Sequence, residues 1–522
     1  MGKLSEYTIV RDSNYLERMW YLYHRLGIQS NVVVAAQYAS VDTSRRLSKT
    51  VVLNALRAVV EAQPQLRIVG VPTPAVKKGN LNLSIAMLHS IDLVSCVEFV
   101  DDATHSGITA DILERAHNEW EFLNPDRPWF KLIVVGQDTV VFIYHHLVAD
   151  GTSGSIFHRE FLAALNSMTS SAGSDTPGPS GASSPWVVHA DPSTSKIAPS
   201  IYEIGAKARE LGKPWTPSML LALWPVFVFW VIQLFFSSRF VFNDLPDAKP
   251  HLASVTGVAE ESQRIVSKIV LGRIPAPKMK KVLAACRANG TTFTPLLNVM
   301  IMLTLVNDYY PQATYGASRI STDIRMRLPP SLVERELDTI GNRAGGMGHI
   351  ERVQKYRRLV KKSGDLDKLG NKTEGTSLDA PGIWELARSN KKWIEDTMES
   401  SCRGLQTHQA SGPDLDYFVT NVLPMVGLVS RATFLVSNTG SFLPRQGEIE
   451  GHESGCWRVV DLVFSAAPTN GHLGSRGPVF NVAGVKGGDT TVAAGWEEGV
   501  ASWELVQGVL DATLARIDAL VA

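Results

Sequence analysis

The run His145-His146-Leu147-Val148-Ala149-Asp150-Gly151 brings together residue types that do proton chemistry near neutral pH. Histidine is the side chain whose unperturbed pKa puts its charge change in the physiological range. A ring held by the backbone at one nitrogen can offer the other to a substrate hydroxyl, which is what a general base requires. The run ends an apolar, β-branched stretch from Thr139 to His145, so both histidines fall at a strand end, where neighbouring side chains point to opposite faces. If His146 points into a channel it is placed to act as such a base, with His145 beside it in the motif. Asp150 lies across a tight bend and does not share the face of His146, so its expected role is structural, anchoring the loop through a basic partner. Gly151 keeps a Cβ out of the channel as the chain turns into the next helix.

Other chemistries fit less well. Histidine and aspartate ligate zinc, but adjacent residues at a strand end diverge and no HExxH or Cys/His string supplies further ligands, so no metal is expected. No G-x-S-x-G elbow marks a serine hydrolase. His89, His251 and His349 stand outside any constellation.

Several elements position the motif. Ser13–Gly27 carries Leu16, Met19, Trp20, Tyr23 and Leu26 at helical spacing, with Ser13 or Asn14 as cap and Gly27 as stop. A strand around Val32–Val34 and a helix over Lys49–Gln63 follow. Phe130–Val135 and Thr139–His145 flank Gly136-Gln137-Asp138, a hairpin whose second strand delivers the histidines. A helix near Ser155–Asn166 leads into Ser167–Pro185, a Ser/Gly/Pro-rich stretch read as a flexible linker. Met219–Phe236 is apolar apart from Gln233, with Pro225 as an internal helix breaker. Its two Trp and flanking Lys213 and Arg239 suit a monotopic or re-entrant membrane segment; the alternative is a helix buried between domains. Strands are expected at Val266–Leu271, Ser318–Arg327, Ala432–Ser437, Val459–Phe464, Val479–Val485 and Thr490–Ala494, with helices at Ala276–Arg287, from Pro295, and at Trp503–Leu520. Lys361–Ser377 is a polar insertion. The division is residues 1–166, a linker and apolar crossover over 167–262, and residues 263–522.

The whole chain has 522 residues, 44% of them hydrophobic, an ordinary globular composition. Lys+Arg 51 balances Asp+Glu 51, so no global field draws it to nucleic acid. Cys96, Cys286, Cys402 and Cys456 are scattered, which gives no disulfide framework and favours a reducing compartment. No apolar h-region follows the N-terminal basic residue, and Glu6 spoils a myristoylation motif at Gly2. The expected location is the cytoplasmic side of an intracellular membrane, the endoplasmic reticulum or a lipid droplet, and otherwise the cytosol. A monomer is expected.

HHLVADG resembles the HHxxxDG signature of the CoA-dependent acyltransferase superfamily, which includes chloramphenicol acetyltransferase, plant BAHD enzymes and peptide-synthetase condensation domains. NYLERMWYLYHRLG, LNALRAVVEAQPQLRIVGV, PWFKLIVV, STDIRMRLP and VSNTGSF extend the likeness to the fungal alcohol acetyltransferase branch. No DFGWG string is present, which disfavours the BAHD branch. The resemblance implies a mixed α/β fold of two chloramphenicol-acetyltransferase-like halves with a tunnel between them, and acyl-CoA, by family acetyl-CoA, as co-substrate with no bound cofactor. It also implies a small-molecule alcohol as acceptor and His146 as base without an acyl-enzyme. For the oxyanion, Ser437, Asn438 and Thr439 are the nominated donors; for Asp150, Arg325 or Arg327 is the nominated anchor. A stand-alone condensation-type enzyme and a non-catalytic binding protein of the same fold are the alternatives.

Overall fold

The computed structural model describes the chain apart from residues 1–5, 102–106, 171–185, 192–196, 214–218, 247–256, 362–376, 409–411, 425–431, 445–456 and 471–475. Two central sheets carry the molecule, one five-stranded and one six-stranded. Their strands are β1 (Asn31–Ser40), β2 (Val97–Val100), β3 (Phe130–Val135), β4 (Thr139–His145), β5 (Ser267–Ile274), β6 (Tyr315–Asp323), β7 (Ala344–Arg352), β8 (Phe434–Phe442), β9 (Trp457–Ala466), β10 (Val479–Val485) and β11 (Thr490–Glu497). The helices that matter below are α1 (Tyr15–Arg25), α2 (Gly151–Ser170), α3 (Met219–Phe236), α4 (Phe293–Thr304), α5 (Ala380–His408) and α6 (Trp503–Val521).

The motif strand β4 is the middle of the first sheet, in the order β9-β1-β4-β3-β2. Every residue of β4 is buried, which explains its continuous apolar run: a central strand covered on both faces has no polar side. The β3–β4 turn places Gly136 at φ 58° and Gln137 at φ 62°, the left-handed twist a tight hairpin needs. Helix α1 opens on a capping box, in which Asn14 Oδ1 accepts the Glu17 N–H and the Glu17 carboxylate accepts the Asn14 N–H. The second sheet runs β5-β11-β10-β8-β6-β7. Its core packs α4 and α6 through residues such as Leu296, Met300, Val509 and Leu510.

Four expectations change on folding. The division at residue 263 does not separate the sheets: β9 leaves the second part of the chain and pairs antiparallel with β1, from Trp457↔Ser40 to Ala466↔Val32. Leu462, Val463 and Phe464 thereby enter the first core, which residues 1–166 alone cannot close. The crossover is partly ordered, because Ile201–Glu210 is a helix with its own capping box at Ser200 and packs Ile201 and Ile204 into that core. Helix α3 runs through Pro225, since a proline early in a helix forfeits one internal hydrogen bond and its neighbours carry the turn. Finally, the strand expected over Ser318–Arg327 stops at Asp323, and Arg325–Arg327 form a 3₁₀ turn. Most of the Ser/Gly/Pro stretch and of the polar insertion lies outside the described residues.

Candidate active site

His146 follows β4 directly and meets α1 and the second half of the chain. The Trp20 ring stacks on its imidazole with centroids 3.8 Å apart and planes 3° from parallel. Asn342 Nδ2 donates to the His146 carbonyl at 2.8 Å and lies 3.4 Å from Nδ1. His146 is partly accessible as a residue, unlike the fully buried residues on either side. Burial lowers its pKa to about 4, opposed by the backbone carbonyls of His146 itself and Ala149 and by the Asp150 charge. The imidazole is therefore neutral at pH 7. Nδ1 has the Asn342 amide beside it, and Nε2 is the nitrogen assigned to a ligand.

His145 is placed differently. Its ring lies between Trp129 and His24, with centroids 4.8 Å from each, and its Nδ1 accepts the Leu147 N–H at 2.9 Å. Burial holds its pKa well below the ordinary histidine value, with His24 and His146 adding to the effect. It is a packing residue that shapes the strand end. The two rings rest against successive turns of α1, at His24 and Trp20.

Asp150 turns inward to a guanidinium. Its carboxylate accepts Arg325 Nη1 at 2.7 Å, the Arg343 N–H at 2.6 Å and the Ser153 N–H at 2.9 Å, with the Ser153 hydroxyl at 2.8 Å. Burial alone would raise its pKa, but the Arg325 charge and these donors outweigh that and hold it below the ordinary aspartate value. Arg325 itself is wholly buried. It also donates from Nε to the Glu336 carbonyl at 3.0 Å, from Nη2 to the Gly341 carbonyl at 3.0 Å, and lies 3.2 Å from Asp323. Arg325, on its 3₁₀ turn, reaches Asp150; Arg327 is directed elsewhere and makes no ion pair among the described residues. A second buried pair, Arg343 Nε to Glu336 at 2.8 Å, braces the same loop. The segment Gly341-Asn342-Arg343 thus ties Gly341 to Ser153 and Arg343 to Asp150, and places Asn342 between them on His146.

Gly151 has an ordinary φ, and its reason differs from the expected open channel. A Cβ there would lie 2.7 Å from the Phe464 ring and 3.0 Å from Thr439 Cγ2, so the space is already filled by β9 and β8. Of the nominated oxyanion donors, Asn438 is engaged: its Nδ2 donates to Thr294 at 2.9 Å and its Oδ1 accepts the Gly440 N–H at 2.8 Å. Thr439 donates to the Val482 carbonyl at 3.2 Å. These residues lie within β8, at a bulge between Asn438 and Gly440. Ser437 alternates with Asn438 and so faces away from α4, toward the first half.

Trp20, Asn342, Arg343, Glu336 and Ser153 escaped the sequence reading. Trp20 sits in the apolar stripe of an amphipathic helix and reads as core. Asn342 and Arg343 belong to no motif, and only the fold brings them across from the other half.

Comparison with known proteins bears on this segment directly. Residues 101–177 match the family model for alcohol acetyltransferase. A probable alcohol acetyltransferase, crmB of Aspergillus fumigatus, is 29% identical over 171 residues, covering 30% of this chain and 36% of the relative. The match thus spans little more than a third of the relative's length. The trichothecene 15-O-acetyltransferase TRI3 of Fusarium sporotrichioides superposes with a TM-score of 0.62, at 14% identity, over 100% of this chain and 97% of its own. The first condensation domain of the CDA synthetase does so at 0.56, with 11% identity, over 98% and 96%. At such identities these two establish the fold alone: the mixed α/β architecture with two central sheets is shared with that acetyltransferase and that condensation domain.

Proposed function

We propose that this chain is an O-acyltransferase that moves an acyl group, an acetyl group by its family, from acyl-CoA to the hydroxyl of a small apolar alcohol or a hydroxylated natural product. The observation that carries the reading is the neutral, partly accessible His146, braced by Trp20 and Asn342 where the two halves meet. In this mechanism His146 Nε2 takes the hydroxyl proton as the oxygen attacks the thioester carbonyl. A tetrahedral oxyanion forms, the C–S bond breaks, and the departing thiolate recovers the proton from the imidazolium. Ester and free CoA result, with no acyl-enzyme. Proton transfer of this kind contributes about 10²–10⁴-fold, and alignment of two bound substrates supplies as much or more. Ser437 is the nominated oxyanion donor, because Asn438 and Thr439 are committed to other partners. Asp150 and Arg325 position the loop and do not touch substrate.

The same reading includes a membrane surface. Helix α3 packs Ile232 toward Phe240 and Ala317, and leaves Leu220, Trp224, Phe227, Trp230, Leu234 and Phe235 exposed. At 18 residues it is about 27 Å long, short of the ~30 Å hydrocarbon core. A helix of this kind suits insertion into one leaflet on the cytoplasmic side of an intracellular membrane. The test of the chemistry is release of CoA thiol from acetyl-CoA with a panel of alcohols. The expected result is alcohol-dependent release that His146→Ala lowers 10²–10⁴-fold without unfolding. Near wild-type turnover in that variant overturns the assignment.

A further inference from the structure

The Trp20 indole lies flat on the His146 imidazole, in a geometry that two uncharged rings do not favour. Centroids 3.8 Å apart with planes 3° from parallel put the rings face to face. Uncharged aromatic rings prefer an offset stack or an edge-to-face contact, because the negative faces of their π-systems repel. The other ring contacts of this corner follow that preference: His145 meets Trp129 at 40° and His24 at 51°, and Trp20 itself meets Tyr23 at 88°. A cation, by contrast, is drawn onto an indole face. The stack thus suits a His146 ring that becomes positively charged.

Trp20 is held there by its helix. The Asn14 capping box and the fork of Arg11 onto the Glu17 carboxylate, at 2.8 and 2.6 Å, fix the start of α1. Next to Trp20, Tyr21 and Leu22 are buried in the first core. The indole Nε1 is buried with no hydrogen-bond partner among the described residues, so ring contacts set the indole plane. A partner on the face also leaves the base free to act, since the lone pair of an imidazole nitrogen lies in the ring plane. Other neighbours of the ring are poorly placed to answer a new charge. The Asp150 carboxylate is committed to Arg325 at 2.7 Å and to the Arg343 and Ser153 N–H groups, and Asn342 is an uncharged amide.

We propose that Trp20 is a positioning residue for proton transfer: it fixes the plane of the His146 ring and stabilises the positive charge that the ring carries in the transition state. This rests on the reading of His146 as the base of an acyl transfer. As the substrate oxygen bonds to the thioester carbonyl, its proton passes to Nε2 and the ring becomes imidazolium; the departing thiolate takes that proton and the ring is neutral again. Because the charge is present only between these events, the indole favours the transition state over the ground state. A shielded cation over an indole is worth about ten-fold in rate.

The experiment compares the full-length wild type with Trp20→Phe, Trp20→Leu and Trp20→Met, in two assays and with circular dichroism as the check of folding. The first is thiol release from acetyl-CoA with octanol. We expect kcat to fall about ten-fold in the Leu and Met variants and about three-fold or less in the Phe variant, which keeps an aromatic face, with KM for acetyl-CoA unchanged. The second needs no acyl transfer: the rate at which diethyl pyrocarbonate modifies His146, read by mass spectrometry of its peptide. Attack by the imidazole on that reagent also places positive charge on the ring, so modification should slow in the same order. Faster modification in the Leu and Met variants would show that the indole merely covers the ring, and would overturn the proposal. A Phe variant as slow as Leu, a raised KM with unchanged kcat, or failure of both non-aromatic variants to fold would do so as well. Modification that follows the series in a protein with no acyl transfer would sink the acyltransferase reading and leave the role of Trp20 toward His146 standing.

Discussion

Removing the Asp150 carboxylate should unlock the whole seam between the motif loop and the Gly341–Arg343 segment. In Asp150→Ala, Arg325 loses its 2.7 Å partner while remaining wholly buried, and the Arg343 and Ser153 N–H groups lose their acceptor. Breaking a buried ion pair from one side costs about 3–5 kcal/mol. Asp323, 3.2 Å from Arg325, retains part of the compensation, while each orphaned N–H adds about 1–3 kcal/mol where it stays dry. A loss of about 4 kcal/mol is expected, a large share of the ~5–15 kcal/mol that holds a typical protein folded. The assay is a double-mutant cycle in denaturant with Asp150→Ala, Arg325→Met and the pair, following tryptophan fluorescence. The double variant should recover part of the loss, because it leaves no buried charge behind. Asp150 has a folded pKa below its unfolded value, so its contribution is present above the unfolded pKa and is lost as pH falls through the folded one. The coupling should therefore vanish in acid. Costs that add to within about 0.5 kcal/mol would refute an energetically important pair. A fully stable but inactive Asp150→Asn would refute the positioning role and make the carboxylate a direct participant.

Other outcomes follow from the same geometry. Because burial lowers the His146 pKa to about 4, the rate of the unliganded enzyme should stay level as pH drops past 6.5 and fall only toward 4; a midpoint near 6.5 in kcat/KM would contradict the buried neutral ring. His24, His117 and His158 are likewise held neutral by burial, at about 4, about 3 and about 4. Their stability is present above the unfolded histidine pKa and is lost below it, so the denaturation midpoint should drop between about pH 6.5 and 4, and a midpoint constant over that window would count against it. Gly151→Ala places a methyl against Phe464 and should destabilise by about 1–3 kcal/mol, with Phe464→Leu restoring part of the loss; an Ala variant as stable as wild type would show that β9 yields freely. Changing Phe227, Leu234 and Phe235 to Ser should release the chain from liposomes in a flotation assay while circular dichroism stays native, since these side chains are already exposed. An unfolded triple variant would mean that α3 belongs to the interior.

The chain's local order was legible where a pattern is set by neighbours in sequence. The helix over α1, the β3–β4 hairpin, the apolar strand β4 and the closing helix α6 follow from periodicity, caps and turn residues that act within a few positions. The motif was legible for the same reason, because its residues are adjacent and their alternation at a strand end separates His146 from His145. The partners of those residues were not. Asp150 and Arg325 are 175 positions apart, and His146 and Asn342 are 196 apart. Which of Arg325 and Arg327 turns inward depends on the strand ending at Asp323, two residues before either a strand or a turn would declare itself. Trp20 was visible only as an apolar residue on a helix face; its stack on His146 exists because α1 packs across the end of β4. The swap of β9 into the first sheet reflects an edge-pairing choice between two sheets with similar apolar alternation, and nothing local to Trp457–Ala466 distinguishes them. Contact between distant segments is chosen by the packing of the whole chain, and that is where the base acquired its brace and the aspartate its cation.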